Sequence, residues 1–124
     1  FKLVLFALEH MEGGEIFIPK APTMKVLDLF NVIVPRAKKK IIGIRPGEKL
    51  HEILLIADEA RHTIELDDYF VILPEHIEID QKRFNKFSET NRRLEEGFCF
   101  TSDNSTLCLS KKELLKVIDK IKND

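Results

Sequence analysis

The sequence has no tryptophan, one tyrosine and two cysteines among its 124 residues, and each shortage removes a class of reading. Cys99 and Cys108 stand nine positions apart, with no CxxC and no second pair. That spacing fits neither a zinc framework nor a disulfide-rich secreted fold. No histidine or basic cluster lies beside either cysteine in sequence, so each reads as a small buried hydrophobe rather than a nucleophile. The histidines, His10, His51, His62 and His76, are scattered along the chain. His51-Glu52 opens like a HExxH zinc helix, but Leu55 stands where the second histidine is needed, and no metal site is expected. An excess of one charge is missing too. Lys+Arg 20 against Asp+Glu 21 leaves a net charge of -1, so composition points to neither nucleic acid nor an acidic membrane surface. No apolar run approaches the ~20 residues that span a bilayer. The apolar opening Leu3–Leu8 has no cleavage-type small-residue site after it. Also lacking are a GxGxxG turn, a P-loop, a nucleophile elbow and a carboxylate pair of diagnostic spacing.

What is present describes a globular chain. It is 44% hydrophobic and 33% charged, with only 5 Gly and 5 Pro, which is neither disordered nor low in complexity. A single domain of this length buries roughly two-thirds of the surface it exposes unfolded. The cysteine usage is that of a cytoplasmic protein. Residue 1 is Phe rather than Met and the chain opens inside an amphipathic pattern, so it is expected to be a piece of a longer protein.

Apolar positions Leu3, Leu5, Phe6, Leu8 and Met11 predict the tail of a helix stopped by Gly13-Gly14. Glu15–Ile18 reads as a strand closed by Pro19. Thr23 is placed to cap a helix with the apolar face Met24, Leu27, Leu29, Phe30 and Ile33, ending at Pro35. The basic cluster Arg36, Lys38, Lys39 and Lys40 reads as solvated charge at a helix end, leading into a second strand, Ile41–Ile44. Arg45–Glu48 forms a tight turn, and Lys49–Ile56 a short helix with Leu50, Ile53 and Leu54 inward. Asp58–Arg61 is polar, Thr63–Leu66 alternates like a strand, and Tyr69–Leu73 is a further apolar run ending at Pro74. Residues 75–104 lack a period and read as an irregular segment wrapping a surface. Ser110 with Glu113 makes a capping box for a last helix whose face is Leu114, Leu115, Ile118 and Ile121. The pattern is that of a small α/β domain, or part of one, built from mixed strands and helices.

The feature richest in chemistry is Ile42-Gly43-Ile44-Arg45-Pro46-Gly47-Glu48-Lys49-Leu50-His51-Glu52. An arginine delivered at a strand end and held by Pro and Gly presents a planar fork suited to phosphate oxygens. Three residues on, a carboxylate at a helix start can accept hydrogen bonds from a vicinal diol, and its charge suits the helix end. Together they describe a grip for a nucleoside diphosphate. An ordinary surface turn with a cap has the same spacing, so spacing leaves both readings open. Lys20 reads as either a residue near a nucleotide or a solvated loop lysine, and His51 as a structural hydrogen-bonding residue.

These stretches resemble a known family. Gly14–Lys20, Met24–Leu29 and Ile42–Glu52 look like the C-terminal part of the bacterial nucleotide-sugar dehydratases of polysaccharide biosynthesis. Within that family they are most similar to the inverting UDP-N-acetylglucosamine 4,6-dehydratases of pseudaminic acid synthesis. Asp58–Arg61, Glu65–Ile72, Phe100–Asn104 and the Leu109-Ser110 helix start fit the same pattern, so the resemblance spans nearly the whole chain, residues 1–124. It implies the C-terminal, substrate-binding portion of an extended short-chain dehydrogenase/reductase whose Rossmann half, absent here, holds NADP. It implies Arg45 on the pyrophosphate, Glu48 on the uridine ribose and Lys20 as a third candidate contact with the UDP-sugar. The family oxidises the sugar at C4 with NADP, eliminates water across C5 and C6, and returns the hydride to C6. No catalytic residue is expected in this chain: Tyr69 is the sole tyrosine, and Leu73 stands where a YxxxK pair needs lysine. Tyr69 is expected to pack, its hydroxyl on a polar partner. The chain alone is expected to be inactive and to bind no cofactor, and the intact enzyme to be a homo-oligomer without nucleic-acid or membrane partners. The other readings are a relative of UDP-N-acetylglucosamine 4-epimerases, which would share the grip, and a stand-alone nucleotide-sugar-binding or interaction domain.

Overall fold

The computed structural model describes residues 1–74, 87 and 92–123, with side chains described as far as 121. The chain divides into two compact units: Phe1–Lys20 with Ile53–Thr101, and Ala21–Glu52 with Ser102–Asp124.

The first unit contains α1 (Lys2–His10), β1 (Ile16–Pro19), β2 (Ile53–Leu55), α3 (Ala57–Ala60), β3 (Thr63–Glu65), β4 (Tyr69–Ile72), β5 (Arg92–Arg93) and β6 (Phe100–Thr101). Its main sheet has the order β1-β4-β3-β5, with every neighbouring pair antiparallel. The unbroken apolar run at Tyr69–Leu73 has a physical reason, because β4 is a central strand covered on both faces. Phe70 and Ile72 join Ile18, Leu55, Ala60 and Phe100 on one side. Val71 and Leu73 join Ile64 and Phe87 on the other. The register sets Ile18 opposite Phe70 and Phe17 opposite Val71, so the alternation of β1 matches that of its partner. Asp67-Asp68 turns the chain between β3 and β4, closed by Leu66 N–H to the Tyr69 carbonyl at 2.9 Å.

α1 lies where its spacing predicts. It ends at His10, and Gly13 and Gly14 then take φ of +127° and +86°. The Glu15 carboxylate accepts the Gly13 N–H at 2.8 Å, which steadies that reversal. A Cβ on Gly14 would stand 3.2 Å from the Pro74 side chain, so the position needs glycine for space as well as for φ. Phe6 stacks on Tyr69 at 4.8 Å between ring centroids, which gives the sole tyrosine the packing role expected of it.

Three expectations fail in the stretch from Thr23 to Ile56. Thr23 is not a helix cap. Its N–H and carbonyl bond Leu107 and Leu109, both at 2.8 Å, as an isolated parallel bridge, and the helix α2 (Val26–Ile33) starts behind Lys25 with no side-chain cap. Ile41–Ile44 is not a strand, because no strand of the described residues lies beside it and Gly43 breaks the extended run at φ +77°. Lys49–Ile56 is not a helix. Ile53–Leu55 pairs instead with Phe100–Thr101 as β2 on β6. That pairing removes Leu55 fully from solvent, whereas a short helix there would have marginal stability. The polar stretch after it holds a helix that its composition hid. α3 turns on the Glu59 carboxylate accepting the Ile56 N–H at 3.0 Å, and Ala60 is fully buried.

The second unit contains α2 and the last helix, α4 (Lys111–Asn123). The capping box forms as its residues predict: Ser110 N–H donates to the Glu113 carboxylate at 2.8 Å and Glu113 N–H donates to Ser110 Oγ at 3.4 Å. The Ser110 hydroxyl and backbone N–H hold the Glu113 carboxyl below its ordinary range. Of the expected face, Leu114 is buried while Leu115 and Ile121 stay exposed. Lys111 Nζ reaches the Asp28 carboxylate on α2 at 3.3 Å, and the basic residues 36–40 are exposed. Of the irregular segment expected over 75–104, residues 75–86 and 88–91 lie outside the described residues; the described part contributes β5 and β6. No helix of the described residues is long and apolar enough to cross a membrane.

One ion-pair cluster ties the main sheet together. Glu65, on β3, accepts from Lys20 Nζ at 2.9 Å and from Arg92 Nε, on β5, at 2.8 Å. Burial pushes the Glu65 carboxyl up, but the hydrogen bonds and charges of Arg92 and Lys20 outweigh it and hold the group below its ordinary range. A carboxyl depressed on folding adds stability above its unfolded pKa and loses it as pH falls through the folded value. Glu65→Gln is therefore expected to flatten the fall in stability between about pH 5 and pH 3, measured by urea unfolding at each pH. A mutant curve parallel to the wild type would refute the assignment.

Candidate functional site

The candidate site centres on Arg45-Pro46-Gly47-Glu48 in the second unit. Pro46 fixes one backbone angle, and Gly47 takes φ +85°, a left-handed value open to glycine without a Cβ clash. The turn closes on itself twice. Glu48 N–H donates to the Arg45 carbonyl at 3.0 Å, and Arg45 N–H donates to Glu48 Oε2 at 2.9 Å. Glu48 Oε1 lies 3.9 Å from Arg45 Nε, with the two side chains 50% and 71% exposed. The expected helix start at Glu48 is absent, so its charge is balanced by the Arg45 N–H and guanidinium rather than by a helix end. The expected strand before Arg45 is absent as well, and the turn alone holds the two residues together. The result is one guanidinium and one carboxylate side by side and open to solvent. An exposed pair of this kind contributes little to stability, so a ligand can take over its hydrogen bonds at small cost. The guanidinium can bond phosphate oxygens in parallel, and the carboxylate has acceptor capacity left for a diol.

Lys20 belongs to the first unit. Its Nζ pairs with Glu65 and lies 4.9 Å above the Phe70 ring centroid, and its side chain is only 20% exposed. It is neither a solvated loop lysine nor a bare cation. His51 lies with its Nε2 4.0 Å from Asp103 Oδ2, beyond hydrogen-bond reach, so the structural hydrogen bond expected of it is not formed with that carboxylate. The two form part of the wall of a cavity of about 260 Å³, with Thr23, Lys25, Ser102 and Cys108. The expectation of buried cysteines is corrected here. Cys99 is half-buried and Cys108 exposed; Cys108 sits in the bridge with Thr23 through its backbone. Ser102 and Asp103 were not recognisable as site neighbours from sequence, since about fifty positions separate them from His51 and Glu52. Three strand-to-helix passages are described: β1 to α2, β2 to α3 and β6 to α4. None contains a glycine, so these described passages offer no backbone turn of the kind that cradles a dinucleotide pyrophosphate.

Comparison with known proteins bears on the family and the fold of the chain. A family model described as "Polysaccharide biosynthesis protein" matches residues 1–74. A UDP-N-acetylglucosamine 4,6-dehydratase (inverting) of Campylobacter jejuni is 44% identical over 121 residues, 95% of this chain and 36% of that protein. A UDP-glucose 4-epimerase of Rickettsia rickettsii is 32% identical, over 98% of this chain and 37% of the relative. The X-ray structure of Pen from Bacillus thuringiensis superimposes with a TM-score of 0.73 at 30% identity, covering 95% of this chain and 35% of that one. The chain thus spans about a third of the length of the relatives it matches, and its mixed α/β architecture is a portion of an extended short-chain dehydrogenase/reductase fold. On the family match and the 44% identity together, this chain belongs to the polysaccharide biosynthesis protein family.

Proposed function

We propose that residues 1–124 are the UDP-sugar-binding portion of a UDP-N-acetylglucosamine 4,6-dehydratase. The observation that carries this reading is the Arg45–Glu48 turn, which presents a guanidinium and a carboxylate together and open to solvent. The dehydratase relative, similar over 95% of the chain, supports the choice of substrate and reaction. Arg45 holds the pyrophosphate, Glu48 accepts from the ribose hydroxyls, and together they orient the nucleotide so that the sugar extends away from the turn. Lys20 is already committed to Glu65, and we rank it behind the other two as a candidate contact. The intact enzyme acts in the cytoplasm as a homo-oligomer, on a route to a surface glycan or flagellin sugar of the pseudaminic acid type. NADP supplies hydride exchange at C4 and C6 of the sugar when bound. The residues of this chain do not fit it, so its site, with the tyrosine, lysine and acid/base pair of the reaction, belongs to a portion outside residues 1–124. A 4-epimerase is the second reading, favoured by the relative at 32% identity, and it would use the same grip.

In the intact enzyme Arg45→Ala is expected to weaken UDP binding by about 2 kcal/mol or more, the usual loss when one partner of a desolvated charge pair is removed. Titration calorimetry showing unchanged affinity would overturn the pyrophosphate contact. Glu48→Gln should cost less, and should cost more for UDP than for its 2′,3′-dideoxy analogue; equal losses would remove the ribose contact.

Residues 1–124 alone, supplied with NADP and UDP-N-acetylglucosamine, are expected to form no 4-keto product. Orientation and proton transfer each contribute orders of magnitude to such a rate, and this reading assigns the nicotinamide site and the proton-transferring pair to a portion outside residues 1–124. Turnover above a no-protein control, followed by mass spectrometry, would show that the catalytic groups lie here after all. In the intact enzyme the same assay separates the dehydratase, which gives a 4-keto-6-deoxy product, from an epimerase, which returns an isomer of unchanged mass.

A further inference from the structure

The stretch that carries Arg45 and Glu48 is held by very little. Among the described residues, positions 38–50 make no hydrogen bond or ion pair beyond those of their own turn. Ile41, Ile42, Ile44 and Leu50 along it are exposed. The next fixed point in the chain is His51-Glu52. There Ser102 bonds Glu52 in both directions: its N–H donates to the Glu52 carbonyl at 2.8 Å, and its Oγ accepts the Glu52 N–H at 3.1 Å. Beside this bond pair His51 faces Asp103 at 4.0 Å.

Ser102 and Asp103 are themselves anchored within the second unit. Three residues on, Ser105 Oγ accepts the Leu107 N–H at 3.3 Å. Leu107 and Leu109 then bond Thr23, just ahead of α2. Ser110 opens α4, whose Leu114 is buried and whose Lys111 reaches Asp28. These bonds, together with the chain from Ser102 to Ser110, link the two helices to Glu52. Only Lys49, Leu50 and His51 separate Glu52 from the carboxylate of the candidate grip.

We propose that Ser102 and Asp103 are positioning residues for the nucleotide grip. Ser102 clamps Glu52 through its two hydrogen bonds, and Asp103 is the charged neighbour of His51, so that the Arg45–Glu48 turn meets the diphosphate and ribose of a nucleotide in one orientation. The proposal rests on the reading of Arg45 and Glu48 given above. Neither residue needs to touch the ligand. A segment already fixed at one end has less conformational freedom to lose when the ligand orders it, and that difference appears as affinity.

The test is UDP binding to the intact enzyme by titration calorimetry. Ser102→Ala deletes the Oγ acceptor and leaves the backbone bond, and a loss of about fivefold in affinity is expected, the usual scale for one hydrogen bond. Ser102→Thr keeps the hydroxyl and should restore the affinity. Asp103→Asn should also weaken UDP binding, which gives a second route should Ser102→Ala fail to fold. A positioning residue acts through the groups it positions, so Ser102→Ala should cause no further loss in an Arg45→Ala, Glu48→Gln background. Unchanged affinity in both Ser102→Ala and Asp103→Asn would overturn the clamp. Additive losses in the combined variant, or failure of threonine to rescue, would overturn it as well. If Arg45→Ala alone leaves UDP affinity unchanged, the grip itself is wrong, an outcome distinct from failure of the clamp.

Discussion

Strand β4 is bonded along both edges, to β1 and β3, and buried on both faces, and most of the first unit follows from that double demand. A strand in this position needs apolar side chains in both directions, which Phe70, Val71, Ile72 and Leu73 supply. It also needs partners whose alternation matches, and β1 and β3 provide Ile18 and Phe17, Thr63 and Ile64. Thr63 is buried yet satisfied, because its hydroxyl donates to the Glu59 carbonyl at 2.7 Å, so the polar atom carries no unmet desolvation cost. The clusters on the two faces then recruit pieces from far along the chain: Leu55 and Phe100 on one, Phe87 on the other. Lys20, Glu65 and Arg92 add a charged tie on the same sheet, one whose strength depends on Glu65 staying ionised.

The second unit is organised on a different principle. Among its described residues only Leu114 is buried, so apolar burial does little to fix its irregular stretches. Backbone bonds at Thr23, Glu52 and Ser102, a capping box at Ser110 and one ion pair between α2 and α4 do that work. Interactions of this kind are each worth little but are directional. They set where a turn points without enclosing it, which suits the grip proposed for that segment.

The Arg45–Glu48 turn shows how an exposed pair can be prepared for binding. Its internal bonds keep the guanidinium and carboxylate adjacent, while their exposure keeps their mutual attraction weak. In the proposed grip, a diphosphate that displaces water from the guanidinium would meet a group already in place, and the carboxylate would keep a lone pair for a neighbouring hydroxyl. Affinity in that proposal depends on how well the turn is oriented as much as on the two side chains themselves.

Local signals were sufficient wherever one stretch of sequence decides its own structure. The apolar spacing of α1, the alternation of β1 and β3, the double-sided apolar run of β4 and the Ser110–Glu113 box are all written within a few residues, and each forms as it reads. The Arg45-Pro46-Gly47-Glu48 turn belongs with them, since Pro and Gly dictate its backbone locally. The readings that fail are those that a distant partner overrides or that lack one. Thr23 suits a cap locally but forms a bridge, because Leu107 and Leu109 compete for its backbone. Lys49–Ile56 suits a helix locally, but Ile53–Leu55 is a strand, because Phe100–Thr101 pairs with it and buries Leu55. Ile41–Ile44 has strand-forming residues but pairs with no strand among the described residues. Ser102 and Asp103 lie in a stretch that fits the family pattern, but nothing local marks them as neighbours of a segment some fifty residues away. A residue's intrinsic preference amounts to tenths of a kcal/mol, roughly, whereas full burial of a leucine contributes about 1.5–3 kcal/mol. Where the two compete, tertiary contact decides.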